Sequence, residues 1–225
     1  MKKLLWVTLI LLIILATSLF WIVASHRRLN VNTGQLGQLT HRTVALRGTP
    51  QNISLRVRTA RLSIQTGSHY QLLMNNVINN QFDINNTEHD LSITEQDNTQ
   101  HQLEIGKTPV LTLIVPAKLH QLTIQQLNGT ITLHKLTADT LAVDHVNGTT
   151  KIDQLTLKQG GQLTKQNGRT DITHLTSDGL HVTVKTGQFK LNGRKHAGQH
   201  PTYTQAGAHP LTINSGNGQV SVTTK

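Results

Sequence analysis

The sequence predicts an all-β chain: a single-stranded, β-helix-like β-solenoid with coils of about 20 residues, preceded by one transmembrane helix. Three observations predict it. An uncharged apolar run opens the chain, short alternating runs rich in Thr, Val and Ile fill most of the rest, and a glycine-centred segment recurs at a near-constant interval.

The apolar run is residues 4–24, "LLWVTLILLIILATSLFWIVA", 21 positions without a charge. At the helical rise it spans roughly 31 Å, the thickness of a bilayer's hydrocarbon core. Trp6 and Trp21 stand near its ends, with Lys2 and Lys3 before it and Arg27 and Arg28 after it. A cleaved signal peptide has a shorter apolar region, about 7–15 residues, ahead of a small-residue site. "VAS" at 23–25 resembles such a site, but the run is too long, so residues 1–28 read as an uncleaved signal anchor with basic flanks. "MKK" looks like the start of an export signal, which puts the N-terminus inside and everything after residue 25 outside the cell membrane.

Residues 29–42 are polar and contain glycine, which suits a linker. From 43 to 225 the chain reads as one β domain. "ISLRVRTARLSI" (53–64), "QFDI" (81–84), "DLSI" (90–93) and "VLTLIVP" (110–116) alternate and are broken by Gly, Asn and Asp, as short strands are. Tyr70, Phe82, Phe189 and Tyr203 are the aromatics outside the anchor, so the core must be thin and aliphatic.

The recurring segment explains how such a core works. "LTIQQLNGTITL" (122–133), "LAVDHVNGTTKI" (141–152), "GQLTKQNGRTDI" (161–172), "LHVTVKTGQFKL" (180–191) and "LTINSGNGQVSV" (211–222) align on Gly129, Gly148, Gly168, Gly187 and Gly218, the first four spaced by 19, 20 and 19 residues. Three apolar columns follow, through Ile124, Leu133 and Leu136 and their equivalents. Each coil buries little alone, and stacking builds the core. The Asn-Gly pairs (Asn128, Asn147, Asn167 and Asn217 before their glycines) read as structural turns needing φ > 0, with stacked Asn side chains bonding along the axis. A leucine-rich repeat fails, because the Leu-to-Asn spacing is wrong and no helical stretch closes the unit. Residues 192–210 break the period as an insertion.

"LTLIVPAKLHQLTIQQLNGTITL" (111–133), followed by glycine-centred coils, resembles the bacterial "putative adhesin" family (domain of unknown function 4097), as a membrane-anchored member. The resemblance rests on a "VP" step and the repeating Asn-Gly, and covers roughly residues 50–222. It implies a β-solenoid-like fold behind one membrane helix. It implies little about activity.

The sequence singles out no catalytic chemistry. In the repeat register, Lys151, Asp171 and Lys190 share one column and Asp139, Lys158 and Asp178 another, so charges of opposite sign alternate along the axis as a ladder. No paired carboxylates stand free for acid–base work, so a polysaccharide-active enzyme ranks third. Of the 13 histidines, His134, His145 and His174 read as isolated and outward. His196, His200 and His209 are the best cluster, but they lie in what reads as a flexible polar loop, so no metal or other cofactor is expected. Cysteine is absent, which excludes disulfides and thiolate sites.

Charge carries what functional information there is. Beyond Lys2 and Lys3 the chain holds 19 basic against 11 acidic residues, or +8. Residues 26–81 have seven arginines and no acid; residues 82–105 have six acids and no Lys or Arg. The expected role is a non-enzymatic module on the cell surface, adhesin-like or structural. Its expected contacts are the membrane through residues 4–24, an anionic cell-wall polymer or a membrane protein partner, and no nucleic acid. The alternative is a sensor or accessory component of an envelope-stress response.

Overall fold

The computed structural model describes residues 2–115, 118–196, 198 and 200–224. Pro116, half of the "VP" step, lies outside them. The chain is mostly β behind one apolar helix, α1 (Lys2–Ala24), which is long and apolar enough to cross a membrane. After it come β1 (Arg27–Asn30), β2 (Gln35–Gln38), β3 (Thr40–Ala45), β4 (Asn52–Thr66), β5 (Gln71–Val77), β6 (Phe82–Asn86), β7 (Asp90–Glu95), β8 (Glu104–Ile105) and β9 (Val110–Val115). The remainder is β10 (Leu119–Leu157), β11 (Gly161–Thr176), β12 (Leu180–Leu191), β13 (Arg194–His196), β14 (Thr202–Gln205) and β15 (Leu211–Thr224).

The larger sheet is mixed, and its middle is a parallel stack. The first half of β10 lies on β4, with Ile124 beside Leu55 and Leu133 beside Ile64. The second half lies against β11, with Val143 beside Leu163 and Ile152 beside Ile172. β10 is thus two tiers of one continuous strand. The apolar columns are the core: Leu55, Ile124, Leu163, Ile213 and Val182 have no measurable exposure. Each such side chain contributes about 1.5–3 kcal/mol by leaving water, which replaces the missing aromatic bulk.

The tiers do not stack in chain order. β15 pairs in parallel with β11 on one side and with β12 on the other, so 211–224 slides between 161–176 and 180–191. The segment called an insertion makes this possible. It leaves β12 through the hairpin 191–194 and returns along β14, both strands pairing antiparallel on β12. The described residues of 192–210 therefore form a cap containing two strands, and the flexible-loop expectation is corrected. The reason is local: Asn192 (φ 49°) and Gly193 (φ 79°) form the two-residue turn that matches strand twist, and Phe189, His196 and Tyr203 pack ring on ring beneath it at 4.9–5.8 Å.

The expected linker, 29–42, is corrected as well. β1 and β2 form an antiparallel hairpin, β1 also pairs with β8, and β3 pairs with β5. These strands are too short and polar to show periodicity; β1 and β3 are held by the distant β8 and β5, and β2 by its hairpin partner β1. Below β4 the tier is split between β7 and β9, backed by antiparallel β6 and β5. The base of the molecule is thus built differently from the repeat.

Candidate functional site

The glycine column comes first because it shapes everything near it. In spatial order it runs Ala60, Gly129, Gly148, Gly168, Gly218, Gly187. The strands continue through these positions, with glycine φ from 118° to 147°. A Cβ on Gly148 would fall on the Gly129 carbonyl oxygen, and the same holds for each glycine over its neighbour. Close backbone approach between tiers is what demands glycine here. The asparagines form the expected ladder: the Asn147 amide donates to Asn128 (3.1 Å), Asn167 to Asn147 (2.9 Å) and Asn217 to Asn167 (3.0 Å). The left-handed corners lie elsewhere, at Lys135, Gln154 and His174 (φ 53–57°), on residue types that gave no signal.

Beside this glycine column the core turns polar. Gln126, His145, Lys165 and Ser215 occupy the inward position of consecutive tiers, and Thr150 and Thr170 face them; all six are buried. Lys165 Nζ donates to His145 Nδ1 (2.8 Å) and to Thr150 Oγ1 (3.0 Å). Among the described residues no carboxylate reaches this ammonium. Burial pulls the Lys165 pKa down to about 8. Burial, and then the Lys165 charge, push His145 down to about 4, so His145 is neutral with its proton on Nε2. His145 is wholly buried, which corrects its outward assignment. Strand parity already pointed inward, since Leu141, Val143 and His145 alternate on one face; polarity was the misleading cue.

The base holds a second polar cluster. Arg28 and Arg58 are buried there with Glu95, Gln81 and the partly covered Glu104. Arg58 donates to Glu104 (2.8 Å) and to the Gln96 carbonyl (3.3 Å), and its backbone N–H donates to Glu95 (2.6 Å). Gln81 links the two sides, accepting from Arg28 (2.5 Å) and donating to Glu95 (2.8 Å). Burial raises the Glu95 pKa, opposed by Gln81 and Arg58; burial lowers that of Arg28, opposed by Glu104 and Glu95. Arg28, Arg58, Gln81 and Glu104 line a polar recess of about 170 Å³ with Asn30, Gln96 and Gln102, and Glu95 lies buried behind it. The two carboxylates of the cluster converge on one guanidinium nitrogen of Arg58, at 2.8 and 3.5 Å. Sequence reasoning missed this pair. The abrupt change from arginines without acids to acids without bases was the available signal.

The outer charges are only partly a ladder. Lys151 and Asp171 are neighbours in adjacent tiers, but the other neighbour of Asp171 is Ser221, and Lys190 lies beyond it. The Lys151–Asp171–Lys190 alternation is corrected, because the reordered tiers interpose β15. Asp171 is held instead by Arg169 of its own strand (2.7 Å). Asp139 is gripped by Lys118 (2.5 Å) and His120 (3.0 Å), which hold its carboxyl below the ordinary range. Asp178 accepts from the backbone N–H groups of Ala208 and His209 and pairs with no Lys158, so the second column is corrected too. His134 and His174 flank Asp153, each at 3.0 Å. His196 stacks on Phe189, His200 bonds to the Lys185 carbonyl, and His209 joins Asp178 through its backbone. Among the described residues, no group of three His, Cys, Asp or Glu side chains has metal-holding geometry.

Thr123, Gln125, Ala142, Asp144, Gln162 and Thr164 of three successive tiers surround a shallow furrow. It presents hydroxyls and amides and a single carboxylate, a surface for many weak polar contacts.

A family model described as Toastrack DUF4097 matches residues 51–225. A "putative cell adhesion protein" of Clostridium sporogenes has a similar structure, with a TM-score of 0.60 at 11% identity over 84% of this chain and 100% of its own. A "putative adhesin" of Bacteroides fragilis gives 0.36 at 9% identity, over 82% of this chain and 97% of its own. At these identities the first likeness speaks for the fold alone. No curated protein matches the sequence.

Proposed function

We propose, from the premise that this chain belongs to the Toastrack DUF4097 family, that it is a membrane-anchored, non-enzymatic module of the cell envelope that binds anionic wall polymer. In this reading α1 stays in the membrane, the parallel stack is a β-solenoid displayed outside, and its surface makes adhesin-like contacts. The observation that carries it is the charge left over. The Arg28–Arg58–Glu95–Glu104 cluster is neutral in sum, so the whole +8 beyond the first lysines falls on the rest of the chain. Repeated Lys, Thr and Asn on stacked tiers suit a periodic polyanion, bound through contacts that are individually weak and collectively sufficient. The two carboxylates of the base cluster are both engaged by Arg58, which counts against a hydrolytic role for that pair.

The full-length protein in neutral detergent, mixed with isolated envelopes, tests this. Retention should weaken steeply between about 50 and 300 mM salt. Stripping the anionic polymer while leaving the peptidoglycan should abolish it. Retention indifferent to both would refute polymer binding and favour a protein partner. The sensor reading rests on one observation: β1, which starts three residues past α1, is locked into the base through Arg28. A specific membrane protein recovered by cross-linking would support it.

A further inference from the structure

We infer that the polyanion docks at one end of the stack, on the cap around Lys190, Arg194 and Lys195, through phosphate groups; this rests on the polymer-binding reading and narrows it to a site. After Asp178 the sequence contains no acid, while Lys185, Lys190, Arg194, Lys195 and Lys225 follow. The reordered tiers gather that stretch into one place, since β15, β12, β13 and β14 are contiguous neighbours. Lys190 stands directly opposite Lys195 in the antiparallel ladder. Like charges so placed repel across about 5 Å, and among the described residues no ion pair reaches Lys185, Lys190, Arg194 or Lys195. The nearest acids are occupied, Asp171 by Arg169 and Asp178 by the backbone of 208–209.

The arrangement is also preformed. Asn192 ties the hairpin to the next tier, donating to Thr224 Oγ1 (3.2 Å) and accepting from Thr224 N–H (3.0 Å), while the Phe189–His196–Tyr203 cluster supports it from below. Three cations are thus held where, among the described residues, no acid pairs with them. Lysine serves a phosphate as a point charge and arginine as a fork, so a backbone with regularly spaced phosphates fits this end.

The test uses the full-length protein in neutral detergent with oligomeric poly(glycerol phosphate) as the probe. The triple variant Lys190→Ser, Arg194→Gln, Lys195→Ser should lose at least tenfold in affinity. Its dependence of log K on log salt should flatten by about 0.7–0.9 for each phosphate contact removed. A control with equal charge loss at the opposite end, Arg42→Gln, Arg47→Gln, Arg61→Gln, should stay within twofold of wild type. Thermal unfolding guards against misfolding: Lys195→Ser should keep or raise Tm, and the probe should raise the Tm of the wild type more than that of the cap triple. Equal losses in the two triples would overturn the localised site while leaving polymer binding intact. Failure of the wild type to bind would overturn both. Cap-dependent binding to anionic but not neutral lipid vesicles, without polymer binding, would overturn the polymer and leave a lipid headgroup as the phosphate source.

Discussion

The two ends of the stack use their cations in opposite ways. At the base, Arg28 and Arg58 are buried and share Glu95, Glu104 and Gln81, so that this cluster sums to no net charge. At the cap, Lys190 and Lys195 are exposed, face each other and have no acid to share. A uniform basic composition would have suggested one diffuse field. The fold sorts it into charges that hold structure and charges that face outward. Removing Arg28 or Arg58 should therefore cost stability, and removing a cap cation should cost binding.

The largest expected effect breaks the base. Arg58→Ala removes the bonds to Glu104 and Gln96 and leaves the fully buried Glu95 without its ion-pair partner, with Arg28 near Glu104 (3.9 Å) the remaining cation of the cluster. Unpairing a buried ion of this kind costs about 3–5 kcal/mol, read as a shift of the denaturant midpoint. Glu104→Gln in that background should recover part of the loss. A midpoint moved by less than about 1 kcal/mol would mean that water reaches the recess freely and that the two ends differ less than the burial implies.

Lys165 sharpens the comparison, being buried like Arg58 and without an acid like Lys190. Its pKa of about 8 in the folded chain lies below the ordinary 10.5. Between those values the unfolded chain holds more protons, so stability rises with pH across that window, and below about pH 8 the full penalty is present. Lys165→Met should stabilise at neutral pH by about 1–3 kcal/mol and remove that rise, while His145 and Thr150 keep their mutual bond of 2.9 Å. His145, at about 4 against 6.5, works at the other end: stability falls as pH drops through that range because the unfolded imidazole protonates first. Unfolding followed from pH 4 to 10.5 in both proteins separates the two windows. If the slope above pH 8 persists in the variant, it does not come from Lys165.

How much of this was legible follows from which residues carried local information. The apolar columns and the glycine spacing were plain, because parity and period act within one tier. The dipeptide Asn-Gly was ambiguous. At 128–129, 147–148, 167–168 and 217–218 it lies mid-strand, where neighbouring backbones come close; at 192–193 it is the true hairpin turn, in the segment outside the repeat. The order of tiers was invisible. Ile213 fits beside Leu163 or Val182 equally well, so nothing in 211–222 marks it for the slot between them. The base network hid for a related reason: Arg28, Arg58, Glu95 and Glu104 lie on four different strands and meet only in the folded chain.

The smallest effect tests that hidden order. Asp171 has Lys151 in the tier on one side and Ser221 on the other, and Lys190 is one tier further, roughly 9.6 Å away. Asp171→Lys loses the Arg169 contact and sets two lysines side by side, which should cost about 0.5–1 kcal/mol. Adding Lys151→Asp restores an opposite-charge pair and should recover most of that. Adding Lys190→Asp should recover almost nothing, because Ser221 intervenes and exposed charges about a Debye length apart are largely screened. A double-mutant cycle for each pair isolates the coupling. Had β12 followed β11 directly, as the chain order suggests, both lysines would couple to position 171 alike. Equal coupling in the two cycles would therefore put β15 at the end of the stack, separate Lys190 and Lys195 from their acid-free neighbours, and remove the ground for a docking end.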